Sequence, residues 1–254
     1  MPTDVPATEL LPRPDTGRVF TLPMKVRLGD VDRNGRLRLD ATARFLQDVA
    51  TDDANDAELD RRYGWLVRRT MIATSTSAGI GESIEVSTWC AAIGRAWAER
   101  RSQIVGARGA LIDAVSLWVQ IDLATGRPAR VADDFLTVYG EAANGRSVSG
   151  RLSLSGPEVG VSGPMATPWS VRRTDLDPFG HVNNAATWSL VEEAARLDLG
   201  DRIGVAELEY PQSIEPDVPI SVATSAADGA TSLWVTRSDG TVLAAGRWAP
   251  VSAT

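Results

Sequence analysis

The chain contains a single histidine, His181, four residues after Asp177 and six after Asp175, in the stretch Thr174-Asp175-Leu176-Asp177-Pro178-Phe179-Gly180-His181-Val182-Asn183-Asn184. A carboxylate and an imidazole at this spacing can act as base or nucleophile and as orienting group. Pro178 and Gly180 make the stretch a turn. Asn183 or Asn184 is a good helix N-cap. The residues that follow place Trp188, Val191 and Ala195 at i, i+3 and i+7, which predicts a helix. The first turn of such a helix offers unsatisfied N–H groups and the positive end of its dipole to developing negative charge. Together these are the parts of an acyl-transfer site. Asp177 is the base or nucleophile, His181 orients, and Gly180, Val182, Asn183 and Asn184 are the candidates for oxyanion or substrate contacts. The plainer alternative is a Pro-Gly turn with an Asn cap and a surface histidine.

A second copy of the pattern weighs against that alternative. Val26, Arg27, Asp30, Asp32 and Gly35 recur as Val171, Arg172, Asp175, Asp177 and Gly180 at an offset of 145 residues. The match runs on, with Phe45–Ala50 falling on Leu190–Ala195, apolar on apolar and polar on polar. A structural unit therefore occurs twice. In the first copy Arg36 stands where His181 is, and Arg38-Leu39 where Asn183-Asn184 are, so one working site is expected rather than two. Asp30-x-Asp32-x-Asn34-Gly35 also resembles the start of a calcium loop, but such a loop ends in a glutamate at position 12. Here that position is Ala41, and Arg33, Arg36 and Arg38 add positive charge, which excludes calcium.

At 254 residues, with 43% hydrophobic and 23% charged residues, the chain has the composition of a soluble globular protein with a sizeable core. A lone cysteine, Cys90, gives no internal disulfide and suits a reducing, cytoplasmic setting. One Cys and one His do not make a structural zinc site, and no metal or cofactor is expected. No apolar run approaches the roughly 20 residues of a membrane span. Met1–Gly17 has four prolines and no basic start with an apolar core, so no signal peptide is expected. A net charge of −7 argues against nucleic acid as a partner.

The elements that must carry the two loops follow from the pattern. Residues 1–18 read as a loose arm. The first unit, 19–137, opens with a strand at Val19–Arg27 and a helix near Leu39–Ala57. Strands follow at Trp65–Ala78, Ser83–Ile93, Ala96–Ala107 and Ala110–Leu123. From Asp133 the chain turns rich in glycine and serine. Residues 138–163 are assigned to a linker, with a short strand at Arg151–Leu154. The second unit, 164–254, opens with a strand at Met165–Arg172. After the loop and helix come strands at Val205–Ile214, Pro219–Ala226, Ser232–Arg237 and Val242–Trp248, with Asp239-Gly240 as a hairpin turn. A helix followed by antiparallel strands, twice over, is α+β.

This layout resembles a tandem (double) hotdog, each unit a long helix wrapped by an antiparallel β-sheet. Asp177–Asn184 resembles the loop of hotdog thioesterases, and the two-copy chain resembles the acyl-acyl-carrier-protein thioesterases. The likeness covers about Val19–Pro250 and is most specific at Asp177–Asn184, at Trp188 and Glu192, and at Leu208-Glu209-Tyr210. It implies hydrolysis of fatty acyl thioesters, on acyl carrier protein or coenzyme A, with Asp177 and His181 at the catalytic positions and Glu192 as a further catalytic candidate. The family has an Asn between Asp and His; here Phe179 stands there. It also has a Glu-Cys pair after the tyrosine; here Ser213-Ile214 occupies that place and Glu215 is the nearest carboxylate. Phe179, Ser213 and Glu215 are therefore accessory candidates. Asp175 is expected to stabilise the loop. The arginines of Arg61–Arg69 and Arg95–Arg101 are either a solvated face or a dock for an acidic carrier. Phe45 and Trp89 are expected in the walls of an acyl pocket, and the two copies pairing with each other leaves both a monomer and a homodimer open as the assembly. Two other classes remain. One is a hotdog hydratase or dehydratase, whose Asp-to-His spacing of five is not met. The other is a protein that binds acyl thioesters without cutting them.

Overall fold

The computed structural model describes residues 10–154, 156, 166–195 and 203–250. The chain divides into two compact units, Met1–Arg151 and Leu152–Thr254.

In the first unit β1 (Val19–Lys25) is followed by the helix α1 (Leu39–Asp56) and then β2 (Tyr63–Thr76), β3 (Ser83–Ile93), β4 (Trp97–Gly106) and β5 (Leu111–Asp122). A two-residue strand, β6 (Arg127–Pro128), adds to the end of β5. The strands pair antiparallel in the order β1-β3-β4-β5-β2. Pro23 lies in β1, at the sheet edge, where a missing N–H leaves no ladder bond unmade. α1 buries Ala41, Phe45, Leu46, Val49 and Ala50 along one side, the side that the helical period predicts. It is tied down by a buried charge. Asp53, fully buried, accepts from Arg18 Nε at 2.6 Å and Tyr139 Oη at 2.8 Å, and pairs with Arg100 on β4. Removing a carboxylate from so enclosed a cluster strands two cations.

The second unit holds β7 (Thr167–Trp169), α3 (Asn184–Ala195), β8 (Ile203–Glu209), β9 (Ile220–Ala227), β10 (Ala230–Arg237) and β11 (Val242–Pro250). Its strands pair antiparallel as β8-β11-β10-β9-β7. Leu208, Leu233, Leu243 and Ala244 fill its core, with Trp188 and Val191 buried from α3. The turn at Asp239-Gly240 forms as expected. Gly240 takes φ +85°, and Arg237 and Thr241 close it with a 2.9 Å backbone bond.

Four details differ from the sequence reading. α2 (Asp133–Ala143) is a helix running from the end of the expected first unit into the expected linker. Its start, Asp133-Asp134, suits the dipole, and its stop is the left-handed Asn144 at φ +47°. Phe135, Tyr139 and Ala142 at i, i+4 and i+7 are buried, a helical period hidden by the surrounding glycines. Residues 151–154 form no strand. Instead Ser153 and Leu154 donate their N–H groups to the fully buried carboxylate of Glu209, at 2.7 and 2.9 Å. The strand predicted at Met165–Arg172 is Thr167–Trp169, with Met165 outside the described residues. Past it, Asp175 pulls the chain into a 3-10 turn by accepting from Arg172 N at 2.9 Å. The strand predicted at Val205–Ile214 ends at Glu209, two residues before Pro211.

Candidate active site

The two loops share one hydrogen-bond skeleton. Asp32 Oδ1 accepts from Asn34 N and Arg36 N, both at 2.8 Å. Asp177 Oδ1 accepts from Phe179 N at 2.9 Å and His181 N at 3.1 Å. Asp32 N donates to Arg36 O, and Asp177 N to His181 O, each at 2.8 Å. Gly35 and Gly180 close the turns at φ +74° and +84°, a conformation that favours glycine. Asp30 and Asp175 each accept the N–H of the arginine three residues earlier. Val31 pairs with Leu37, and Leu176 with Val182. One oxygen of each aspartate therefore belongs to the fold of its loop.

What the loops add to this skeleton differs. In the first, the guanidinium of Arg36 lies 3.4 Å from Asp32 Oδ2, and that of Arg38 donates to the carbonyls of Val31 and Gly29. The loop is filled with its own cations, and Asp30 pairs with Arg44, so neither carboxylate is set up for calcium. In the second, among the described residues, no side chain is set on Asp177 Oδ2. His181 Nε2 lies 3.3 Å from Glu215 Oε1, and Ser213 Oγ donates to the same oxygen at 2.9 Å. His181 meets the Asp177 side chain through its backbone N–H, and its ring pairs with Glu215.

The oxyanion candidates narrow for the same reason. Gly180 N is bonded to Asp177 O at 3.0 Å, Val182 N to Ile214 O at 2.9 Å and Asn183 N to Asp175 O at 2.8 Å. An N–H committed within the protein is not free for a ligand, so these three do not supply backbone donors. Asn183 is the N-cap of α3, its Oδ1 accepting from Ala185 N at 2.7 Å. That leaves the N–H groups of Asn184 and Ala186 in the first helical turn, on which no acceptor is set among the described residues.

Tyr210 holds this helix end. Its hydroxyl donates to Asn184 O at 3.3 Å, and the Trp188 indole N–H donates to the phenol. Burial pushes the phenol above its ordinary value, with the Trp188 bond pulling the other way, so Tyr210 remains a donor. The sequence reading placed this tyrosine only by resemblance. Its signal was an aromatic directly after a buried strand.

The other candidates differ in exposure and partners. Glu192 is half-buried, roughly 12 Å along the α3 axis from Asn184, and has an interaction of its own. Phe179 projects from the loop tip, 72% exposed. Asp175 is buried against Arg172, a loop-stabilising carboxylate as expected. The arginine stretches do not form one surface: Arg100 and Arg101 are inside, paired with Asp53 and Glu99, while Arg62 is exposed on Asp122. Burial pushes the Cys90 thiol up to about 12, so the lone sulfur is a neutral core group and no nucleophile. A cavity of about 250 Å³ in the first unit lies under the C-terminal half of α1, between Ala50, Ala54, Trp65, Cys90, Trp118 and Phe135. Phe45 and Trp89 are buried in the core and do not line it. Among the described residues no three His, Cys, Asp or Glu side chains are grouped to hold a metal, and no helix is long and apolar enough to cross a membrane.

Comparison with known proteins identifies the family. Residues 17–139 match the Acyl-ACP thioesterase N-terminal domain, and residues 162–247 the Acyl-ACP thioesterase C-terminal domain. An uncharacterized protein of Mycobacterium tuberculosis is 32% identical over 215 residues, 84% of this chain and 85% of its own length. Two solved structures share the fold. An acyl-ACP thioesterase from Bacteroides thetaiotaomicron has a TM-score of 0.77 at 20% identity, covering 91% of this chain and 97% of its own. The 12:0-ACP thioesterase from Umbellularia californica has a TM-score of 0.74 at 21% identity with the same coverage. Each unit is a hotdog, and the chain belongs to the acyl-ACP thioesterase family of thioester hydrolases.

Proposed function

We propose that the protein hydrolyses fatty acyl thioesters carried on acyl carrier protein, with coenzyme A as the alternative carrier, and that the reaction runs at the second loop. One observation carries this reading. The twin loops have the same skeleton, yet among the described residues only the second adds a carboxylate oxygen without a cation on it and an imidazole beside a second carboxylate. A loop that served only as a turn would have no need of either.

In this reading Asp177 Oδ2 takes a proton from water as the water oxygen bonds to the thioester carbon, or attacks that carbon directly. His181 orients the water. The Asn184 and Ala186 N–H groups, at the positive end of α3, receive the charge that develops on the carbonyl oxygen. The C–S bond then breaks, and the proton from Asp177 leaves with the thiolate. With direct attack, water cleaves the resulting anhydride and supplies that proton.

The test is thiol release from a ladder of acyl chains on acyl carrier protein and on coenzyme A. Turnover on the carrier protein exceeding that on coenzyme A at equal chain length supports the reading as stated. The reverse preference moves the substrate to coenzyme A. Tight binding without thiol release on either would make the protein an acyl-thioester binder.

A further inference from the structure

The segment after β8 reads Tyr210-Pro211-Gln212-Ser213-Ile214-Glu215-Pro216. Pro211 helps end the strand, Gln212 N still bonds Leu243 O at 3.4 Å, and the chain is then tied to the catalytic loop by the bond from Val182 N to Ile214 O. Ile214 turns inward and is 5% exposed, while Ser213 and Glu215 on either side of it stay at the surface. That single backbone bond sets the register of two loops. His181 is one residue before the donor and Glu215 one residue after the acceptor, so ring and carboxylate come together. Ser213 Oγ holds the same Glu215 oxygen that faces the ring, which fixes the carboxylate rotamer.

We infer that Glu215, braced by Ser213, is the positioning residue for His181, fixing the imidazole with its proton on Nε2 and leaving the Nδ1 lone pair for the reacting water. This rests on the hydrolytic reading of the loop. A carboxylate accepts only, so an imidazole nitrogen 3.3 Å from it is favoured in its protonated form. The other nitrogen is then the acceptor. Its task is to take a hydrogen bond from the water whose proton goes to Asp177 Oδ2. The first loop has no such device. Arg36, in the histidine's place, is an obligate donor and cannot hold a water by a lone pair.

The protein contains one histidine, so its ring nitrogens can be observed without assignment. The experiment compares the intact parent protein with Glu215→Ala, Glu215→Gln and Ser213→Ala. Nitrogen-15 shifts of the imidazole are read at a pH where the ring is neutral, and thiol-release kinetics are measured on the acyl thioester that the parent cuts best. The expected parent spectrum shows a single form, with Nε2 protonated and Nδ1 bare. Glu215→Ala should give a mixture of the two forms and lower kcat by roughly two- to fivefold, the range for a half-exposed pair, with KM unchanged. Ser213→Ala should fall between the two. In a His181→Ala background, Glu215→Ala should have no further effect, since it acts through the ring. The same tautomer ratio in the parent and both Glu215 variants, or a parent ring protonated at Nδ1, overturns the inference. So does a Glu215→Ala loss that persists without His181. The spectrum reads Glu215 and His181 whether or not any thioester is cut, so failure of the hydrolytic reading is seen separately, as absent turnover in the parent.

Discussion

Asp177→Asn separates the fold of the loop from its chemistry. The asparagine keeps an Oδ1, and with it both bonds that Asp177 makes, from Phe179 N at 2.9 Å and His181 N at 3.1 Å. The loop should stand, and the melting temperature should stay within a degree or so. What is lost is the charge and basicity of Oδ2. A positioned base contributes about 10²–10⁴-fold, or roughly 3–5 kcal/mol of barrier. Asp177→Ala removes the two backbone bonds as well, each worth about 0.5–1.5 kcal/mol, and should lower stability by about 1–3 kcal/mol. The first loop provides the control. Asp32 makes the same two bonds at 2.8 Å, so Asp32→Ala should cost similar stability, while Asp32→Asn should leave turnover within about threefold of the parent. The assay is initial-rate thiol release at saturating acyl thioester, with thermal melts run beside it. If Asp177→Asn retains a tenth or more of the parent kcat, Asp177 is not the base or nucleophile. If Asp32→Asn loses as much as Asp177→Asn, the argument from the twin loops fails, because the shared skeleton rather than the added groups would then set the rate.

Three further outcomes are expected. Asp53→Ala leaves Arg18 and Arg100 without their buried partner and should cost about 3–5 kcal/mol, a fall of roughly 6–20 °C in melting temperature by calorimetry. Asn183→Ala removes the side-chain cap on Ala185 N and should cost about 1 kcal/mol of stability in denaturant unfolding, whereas Asn183→Asp, which keeps the acceptor, should cost nothing measurable. Burial raises the Cys90 thiol from 9.0 to about 12, so the stability linked to it is whole below pH 9 and is lost as pH climbs from 9 towards 12; a thiol reagent at pH 8 should leave Cys90 unlabelled in the folded protein and label it once denaturant is added.

The sequence alone determined the elements and the repeat. Hydrophobic period and turn residues placed α1, β3 and β5 within a residue or two of where they lie, because these segments are long and strongly patterned. The five identities at an offset of 145 located both loops, and the structure repeats their bonds one for one. Asp177, His181 and the Asn cap were legible because loop bonds between near neighbours depend on residue type and spacing. α2 was not, although its period was present, because Gly140 and the glycines after it spoke for a connection. What only the tertiary structure decided is which partners the groups find across the chain. The pairing of His181 with Glu215 depends on where Val182 meets Ile214, a contact between two loops 32 residues apart that no local pattern encodes. The burial of Arg100 and Arg101, one strand's neighbours that read as a basic surface, likewise follows from Asp53 on α1 and from Glu99. The loss of Gly180, Val182 and Asn183 as oxyanion donors was settled by the same kind of fact. Each N–H already has an acceptor, and an acceptor's position is a property of the fold.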